Sequence, residues 1–283
     1  MRVLLLGGSG QLGSEIKKLS PYEIISPSHE ELSLGKDTDE SSILIKYNPD
    51  LIINCAAMHN VQGCQTCPQL AFRINSISQY NLAKSTASAR IPIVFISTNY
   101  VFDGAREAYR GYTELDGTSP LSVYGKSKLA GELVTQALNP KHLIIRTSYI
   151  FGVTGPREKK YNLIDNLVLS LKGGKEVSVK DDTTISPTYA PDLAKKILDL
   201  IEGKNYGVYH VANNGALTIA ALAEFLASEL NLDPALIKHK KSTDFPLAEV
   251  LPKNATLSSI YFEMPMIFNS IRKYLKEKSY ARS

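Results

Sequence analysis

Tyr124 and Lys128 stand four residues apart in Ser122-Val123-Tyr124-Gly125-Lys126-Ser127-Lys128. On a helix that spacing puts both side chains on one face, one turn from each other. A phenol and an ammonium so placed make a proton donor with a charge beside it. Free tyrosine titrates near ~10, too high for ready proton exchange at neutral pH. A neighbouring cation favours the phenolate and pulls that value down. Turning a carbonyl into an alcohol needs such an acid beside the forming oxygen. The same spacing also arises on any amphipathic helix, as a half-buried tyrosine beside a solvated lysine. What lies upstream decides between the two.

The apolar run Arg2-Val3-Leu4-Leu5-Leu6 reads as a central parallel strand. It flows into Gly7-Gly8-Ser9-Gly10-Gln11-Leu12-Gly13 and then a helical pattern from Ser14 to Leu19. Glycine permits the positive φ of a tight turn and lets backbone approach a pyrophosphate, while the helix N-terminus offers unpaired N–H groups. A plain strand-to-helix turn would also use glycine, but three at this spacing directly after the first strand favour dinucleotide binding. Gly7, Gly10, Gln11, Leu12 and Gly13 are therefore expected to hold a dinucleotide.

A second strand, Tyr22 to Ile25, ends in Ser26-Pro27-Ser28-His29, where an acidic residue would grip the adenosine ribose and exclude a 2′-phosphate. None stands at the strand end; Glu30 and Glu31 follow a few residues later. NADPH and NADH both stay open, and Ser28 is the expected phosphate or ribose contact, with a simple turn serine as its alternative. Leu51-Ile52-Ile53-Asn54 is the third strand, and the small residues Ala56 and Ala57 after it let a cofactor lie close. Asn75, inside a long helix from Pro68 to Ala89, joins the expected cofactor set. Ile93-Val94-Phe95-Ile96 delivers Ser97-Thr98-Asn99-Tyr100 to the same sheet edge, where their hydroxyls would face Tyr124.

At 283 residues and 43% hydrophobic, the chain can bury one large core or a main domain with a smaller partner. A net charge of +4 is mild, and the clusters Lys238-His239-Lys240-Lys241 and Arg272 to Lys278 read as solvated surface, so nucleic acid is not expected. Nothing approaches the ~20 apolar residues of a membrane span, and the apolar start is too short for a signal segment; the expectation is a soluble, cytoplasmic protein. Cys64-x-x-Cys67 has no second pair to complete a zinc site, so free thiols are expected and no metal.

Strand and helix alternate through a fifth strand at Leu143 to Arg146. Beyond it come a polar loop from Gly152 to Lys160, a helix to Lys172, a strand from Glu176 to Val179 and turn chemistry from Asp181 to Pro187. A helix from Pro191 to Glu202 and a strand from Gly207 to Ala212 follow, then a mostly helical tail. The expected fold is α/β, a Rossmann-type doubly wound parallel sheet with a small, mostly helical C-terminal substrate-binding part. Residues 1–150, completed by about 190–213, would form the dinucleotide-binding domain. Residues 151–189 and 214–283 would form the cap.

With Gly7-x-x-Gly10-x-x-Gly13, Asn54-Cys55-Ala56-Ala57, Ser97-Thr98-Asn99-Tyr100-Val101-Phe102-Asp103-Gly104 and Tyr124-x-x-x-Lys128 in this order, the chain resembles the extended short-chain dehydrogenase/reductase family, and within it the dTDP-4-dehydrorhamnose reductases. The likeness continues through Leu143 to Phe151, Ser186-Pro187-Thr188, Asp192-Leu193-Ala194 and Pro252 to Ser258. It implies reduction of the 4-keto group of a dTDP-linked 4-dehydro-6-deoxyhexose, giving dTDP-L-rhamnose. Tyr124 would be the proton donor, Lys128 would tune it and hold the nicotinamide ribose, and Thr98 would orient the carbonyl. Dehydration is not implied, because Asn99-Tyr100 replace the Asp-Glu of the related 4,6-dehydratases. Other departures are Asn99 for aspartate, Val61-Gln62-Gly63-Cys64-Gln65 for Val-Asp-x-x-Glu, Leu251-Pro252 for Arg-Pro, and Asp182 to Thr188 in the sugar-nucleotide half. The second of these removes the expectation of a metal-assisted dimer, while a homodimer of another kind stays open. Two alternatives stand beside this reading: a non-catalytic NAD(P)-binding subunit like the methionine adenosyltransferase β subunit, and a reductase for another nucleotide sugar.

Overall fold

The computed structural model describes residues 1–35, 40–107, 109–154, 161–247 and 250–280. Its first half runs β1 (Arg2–Leu6), α1 (Gln11–Leu19), β2 (Glu23–Ile25), α2 (Glu40–Tyr47), β3 (Leu51–Asn54), α3 (Val61–Thr66), α4 (Pro68–Phe72), α5 (Ser78–Ser88), β4 (Ile93–Thr98), α6 (Val123–Leu138) and β5 (His142–Thr147). The second half runs β6 (Ile150–Phe151), α7 (Leu163–Lys172), β7 (Val177–Lys180), β8 (Thr184–Ile185), β9 (Thr188–Tyr189), α8 (Ala190–Glu202) and β10 (Gly207–His210). It ends with β11 (Leu217–Thr218), α9 (Ile219–Leu230), β12 (Ile237–Lys240), β13 (Asn254–Ala255) and α10 (Ile267–Glu277).

Six parallel strands form one sheet in the order β2-β1-β3-β4-β5-β10. Successive side chains on a strand face opposite ways, and β1 divides accordingly. Val3 and Leu5 pack with Leu12 and Ile16 of α1 and Leu193 and Ile197 of α8, whereas Leu4 and Leu6 pack with Ile43 of α2 and Leu82 of α5. The sheet is therefore covered on both faces, which is why its strands read as unbroken apolar runs. The chain leaves β1 for β2 on one side and returns to β3 on the other. That reversal opens a crevice at the strand carboxyl ends, where ligands bind in sheets of this kind.

The later elements build a second core around Phe151, Leu167, Tyr189, Leu222, Leu226, Ile271 and Tyr274. Helices α7, α9 and α10 supply most of it, and β8 is held between antiparallel β11 and parallel β13. The segment Asp181 to Pro187, read from sequence as turn, thus contains a central strand. Its partners lie at 217–218 and 254–255, so no local pattern announces it. Helix α1 begins at Gln11 rather than Ser14, because extended Gly10 caps it and accepts the Ser14 N–H at 2.9 Å. The expected helix from Pro68 to Ala89 is interrupted by a π turn at Arg73–Ile77. Residues 155–160 of the expected polar loop and Asp39, the expected start of α2, lie outside the described residues. Among those described, no helix is long and apolar enough to cross a membrane and no group of three His, Cys, Asp or Glu side chains could hold a metal.

Candidate active site

The glycine loop fits a group that needs bare backbone. Gly7 has φ +77°, and a Cβ there would sit 2.8 Å from the Ala56 nitrogen. A Cβ on Gly13 would fall inside contact distance of the Gly7 oxygen. The loop and the end of β3 therefore touch backbone to backbone. Gly10 caps α1 without a side-chain hydrogen bond, so the first N–H groups of that helix are not claimed by a capping side chain. This is the arrangement that receives a pyrophosphate. Gln11 and Leu12 fill the first turn of α1, buried; Gln11 Nε2 donates to the Gly152 carbonyl at 3.3 Å, tying the loop to the second half of the chain.

Strand β4 ends in Thr98, whose hydroxyl accepts the Tyr100 N–H at 3.2 Å. Asn99 is turned away, its Nδ2 donating to the Ala255 carbonyl of β13 at 2.7 Å. Ser97 does not join the reacting edge as its position suggested. Its hydroxyl donates to Glu132 of α6, in a buried pair with Arg146 whose Nε–Oε1 and Nη2–Oε2 distances are 3.1 and 2.7 Å. A strand reverses face at each residue, so only one of Ser97 and Thr98 can look into the crevice.

Tyr124 and Lys128 lie on the first two turns of α6, as their spacing required. Loss of solvent pushes the half-buried Tyr124 phenol up to about 12, with the neighbouring Thr98 side chain pulling the other way. Lys128 is 1% exposed, and burial pushes its ammonium down to about 7 against the pull of Glu132 and Cys55. Its Nζ sits 3.8 Å from the centre of the Phe95 ring. The expectation that Lys128 holds the phenol low is therefore corrected for the cofactor-free chain. Loss of solvent at the site outweighs any pull from the cation on the phenol. Lys128 does act on the Cys55 thiol, and a Cβ on Gly7 would lie 2.9 Å from the Cys55 carbonyl carbon. Cys55 thereby connects the lysine to the glycine loop.

The π turn carries Asn75 and Ser76 to α6. Asn75 donates to Ser127 Oγ at 2.9 Å and to the Met58 carbonyl at 3.0 Å, and accepts the Met58 N–H at 2.9 Å. Ser127 Oγ donates in turn to the Tyr124 carbonyl at 2.8 Å. Asn75, expected at the cofactor, is thus 1% exposed with its amide spent on protein partners. It positions the Tyr124 helix. Ser28 is exposed and trades bonds with Glu31, its N–H to the carboxylate at 2.8 Å and its hydroxyl accepting the Glu31 N–H at 3.3 Å. Ala56 and Ala57 are half-buried beside the glycine loop. Cys55, Cys64 and Cys67 are not joined in disulfides.

Tyr100, expected at this edge, has a partner that escaped the sequence reading: Tyr100 and Tyr149 join hydroxyls at 2.9 Å, and Tyr100 stands edge-on to Tyr124 with ring centres 6.0 Å apart. No spacing links them, since β4 and β5 bring them together only in the fold. Glu132 was accessible, because it repeats the four-residue step from Tyr124 through Lys128.

A family model described as RmlD substrate binding domain matches residues 1–277. The chain belongs to this family. It is a reductase of the extended short-chain dehydrogenase/reductase type. SpsK, the spore coat polysaccharide biosynthesis protein of Bacillus subtilis, is 30% identical over 99% of both chains. The dTDP-4-dehydrorhamnose reductase of Salmonella typhimurium is 31% identical, over 93% of this chain and 91% of its own. The crystal structure of dTDP-4-dehydrorhamnose reductase from Bacillus anthracis in complex with NADP superposes with a TM-score of 0.89 at 30% identity, covering 98% of this chain and 99% of that one.

Proposed function

We propose that this enzyme reduces the 4-keto group of a dTDP-linked 4-dehydro-6-deoxyhexose, dTDP-4-dehydrorhamnose to dTDP-L-rhamnose, with NADPH or NADH. The observation that carries the reading is the placement of Tyr124 and Lys128 on the first two turns of α6 against β4, with Lys128 Nζ 3.8 Å from the Phe95 ring centre and Thr98 at the strand's carboxyl end, on the same rim as the glycine cradle. The cofactor supplies the hydride to C4; everything else is placement and proton supply. Gly7, Gly10 and Gly13 admit the pyrophosphate to the N-terminus of α1. Thr98 orients the carbonyl oxygen. Tyr124, protonated throughout the neutral range because burial raises it, gives its proton to that oxygen as the alcohol forms. The phenolate left behind gains from Lys128 one turn away, whose charge also serves the nicotinamide ribose.

The dinucleotide would lie on residues 1–150 with β10, and the sugar nucleotide against 151–189 and 214–283, in the cytoplasm. Tyr100 and Tyr149 offer further hydroxyls to the sugar side. The relationship to SpsK favours keeping other 4-keto sugar nucleotides as candidates. The test is a panel of dTDP-4-keto-6-deoxyhexoses followed at the nicotinamide absorbance with both cofactors. Turnover is expected, and Tyr124→Phe should lower it about 10²–10⁴-fold with cofactor affinity kept. A protein that binds NADPH but reduces none of the panel would be a binding subunit instead, and near-normal turnover in Tyr124→Phe would remove the tyrosine from its role.

A further inference from the structure

We infer that Gln65 is a positioning residue for Tyr124, fixing the first turn of the helix that carries it; this rests on Tyr124 being the proton donor. The first N–H groups of any helix lack intrahelical partners. In α6, Ser122 Oγ accepts from Gly125 N at 3.0 Å, a cap within the local sequence. The Val123 N–H is taken from a distance, donating to Gln65 Oε1 at 2.6 Å across 58 residues. A backbone N–H can only donate, so the amide oxygen is the end of Gln65 that must face it.

Gln65 is itself held. It follows Cys64 in α3, whose Asn60 cap accepts the Gly63 N–H at 2.9 Å. The Cys64 thiol donates to the Met58 carbonyl at 3.4 Å, the same carbonyl that Asn75 grips. On the far side, the turn is closed against the segment just after β4: a Cβ on Gly125 would collide with the Tyr100 carbonyl oxygen. Tyr124 therefore sits on a turn pinned by α3 at Val123, by the Tyr100 backbone at Gly125, and by Asn75 through Ser127. Gln65 is the only one of these contacts made by a neutral side chain from α3, and it delivers position without placing an anion beside a phenol. A proton donor must sit within hydrogen-bond reach of its acceptor, and small misplacements of reacting groups are costly.

The experiment compares Gln65→Ala and Gln65→Glu with wild type. It measures kcat, KM for both substrates, cofactor affinity by nicotinamide fluorescence, and backbone amide exchange of the peptide spanning residues 119–128. Gln65→Ala should lower kcat about tenfold, leave cofactor affinity within twofold, and speed exchange in that peptide alone. Gln65→Glu keeps an acceptor at the same reach and should restore slow exchange, while its carboxylate keeps kcat below wild type. Unchanged kcat with unchanged exchange in Gln65→Ala would overturn the inference, as would fast exchange that Gln65→Glu does not slow. Should the wild type reduce no 4-keto sugar, the reductase reading fails, while exchange at the start of α6 still decides whether Gln65 pins it.

Discussion

Replacing Lys128 with methionine separates the electrostatics of the empty site from catalysis. Lys128 is 1% exposed and burial pushes its ammonium down to about 7. An unfolded lysine titrates near ~10.4. Between those values the unfolded chain binds a proton that the folded chain does not, so stability rises with pH. The useful window closes near pH ~9, because burial lifts the Cys55 thiol from 9.0 to about 12 and the sign there is opposite. From pH ~7 to ~8.5, a lysine with these two values adds about 1.5 kcal/mol to the stability of the cofactor-free protein. Lys128→Met abolishes that gradient. It also relieves the cost of a buried charge at neutral pH, offset by the lost contact over Phe95, worth about 0.5–2 kcal/mol. Urea unfolding of both proteins at the two pH values is the assay. Wild type should gain about 1.5 kcal/mol more than the variant; equal gains would show that Lys128 keeps its proton when folded, and the reasoning would fall.

The same burial predicts a pH-dependent cofactor affinity. If binding places the Lys128 charge on the nicotinamide ribose, the dissociation constant for NADPH should climb above pH ~7, toward tenfold per unit, and should be flat in Lys128→Met. A flat wild-type titration between pH ~7 and ~9 would refute it. Asn99→Asp, which writes in the aspartate that this family usually carries, should cost about 1–3 kcal/mol. It sets a carboxylate against the Ala255 carbonyl that Asn99 now donates to at 2.7 Å. An unchanged urea midpoint would argue against that bond mattering.

The five first strands, the glycine loop and the Tyr124–Lys128 step were readable in the sequence because each is a local pattern whose meaning the neighbouring patterns settle. A strand covered on both faces is mostly apolar, and a helix face repeats every three or four residues. What the pattern could not carry was anything settled by a distant partner. Ser97 is drawn to Glu132, Asn75 to Met58 and Ser127, and Thr184 to Thr218 and Asn254, each from outside its own element. The error over Lys128 has another origin. Proximity of a cation was visible in the spacing, but the loss of water around both groups was not, and desolvation is the larger effect on each.

The bond from Asn99 to Ala255 also bears on the order in which the protein is made. Thr98 is synthesised early, yet its neighbour takes its acceptor from a strand more than 150 residues downstream. Asn99 cannot make this bond until Ala255 has been synthesised, so the end of β4 gains that support only when most of the chain has been made.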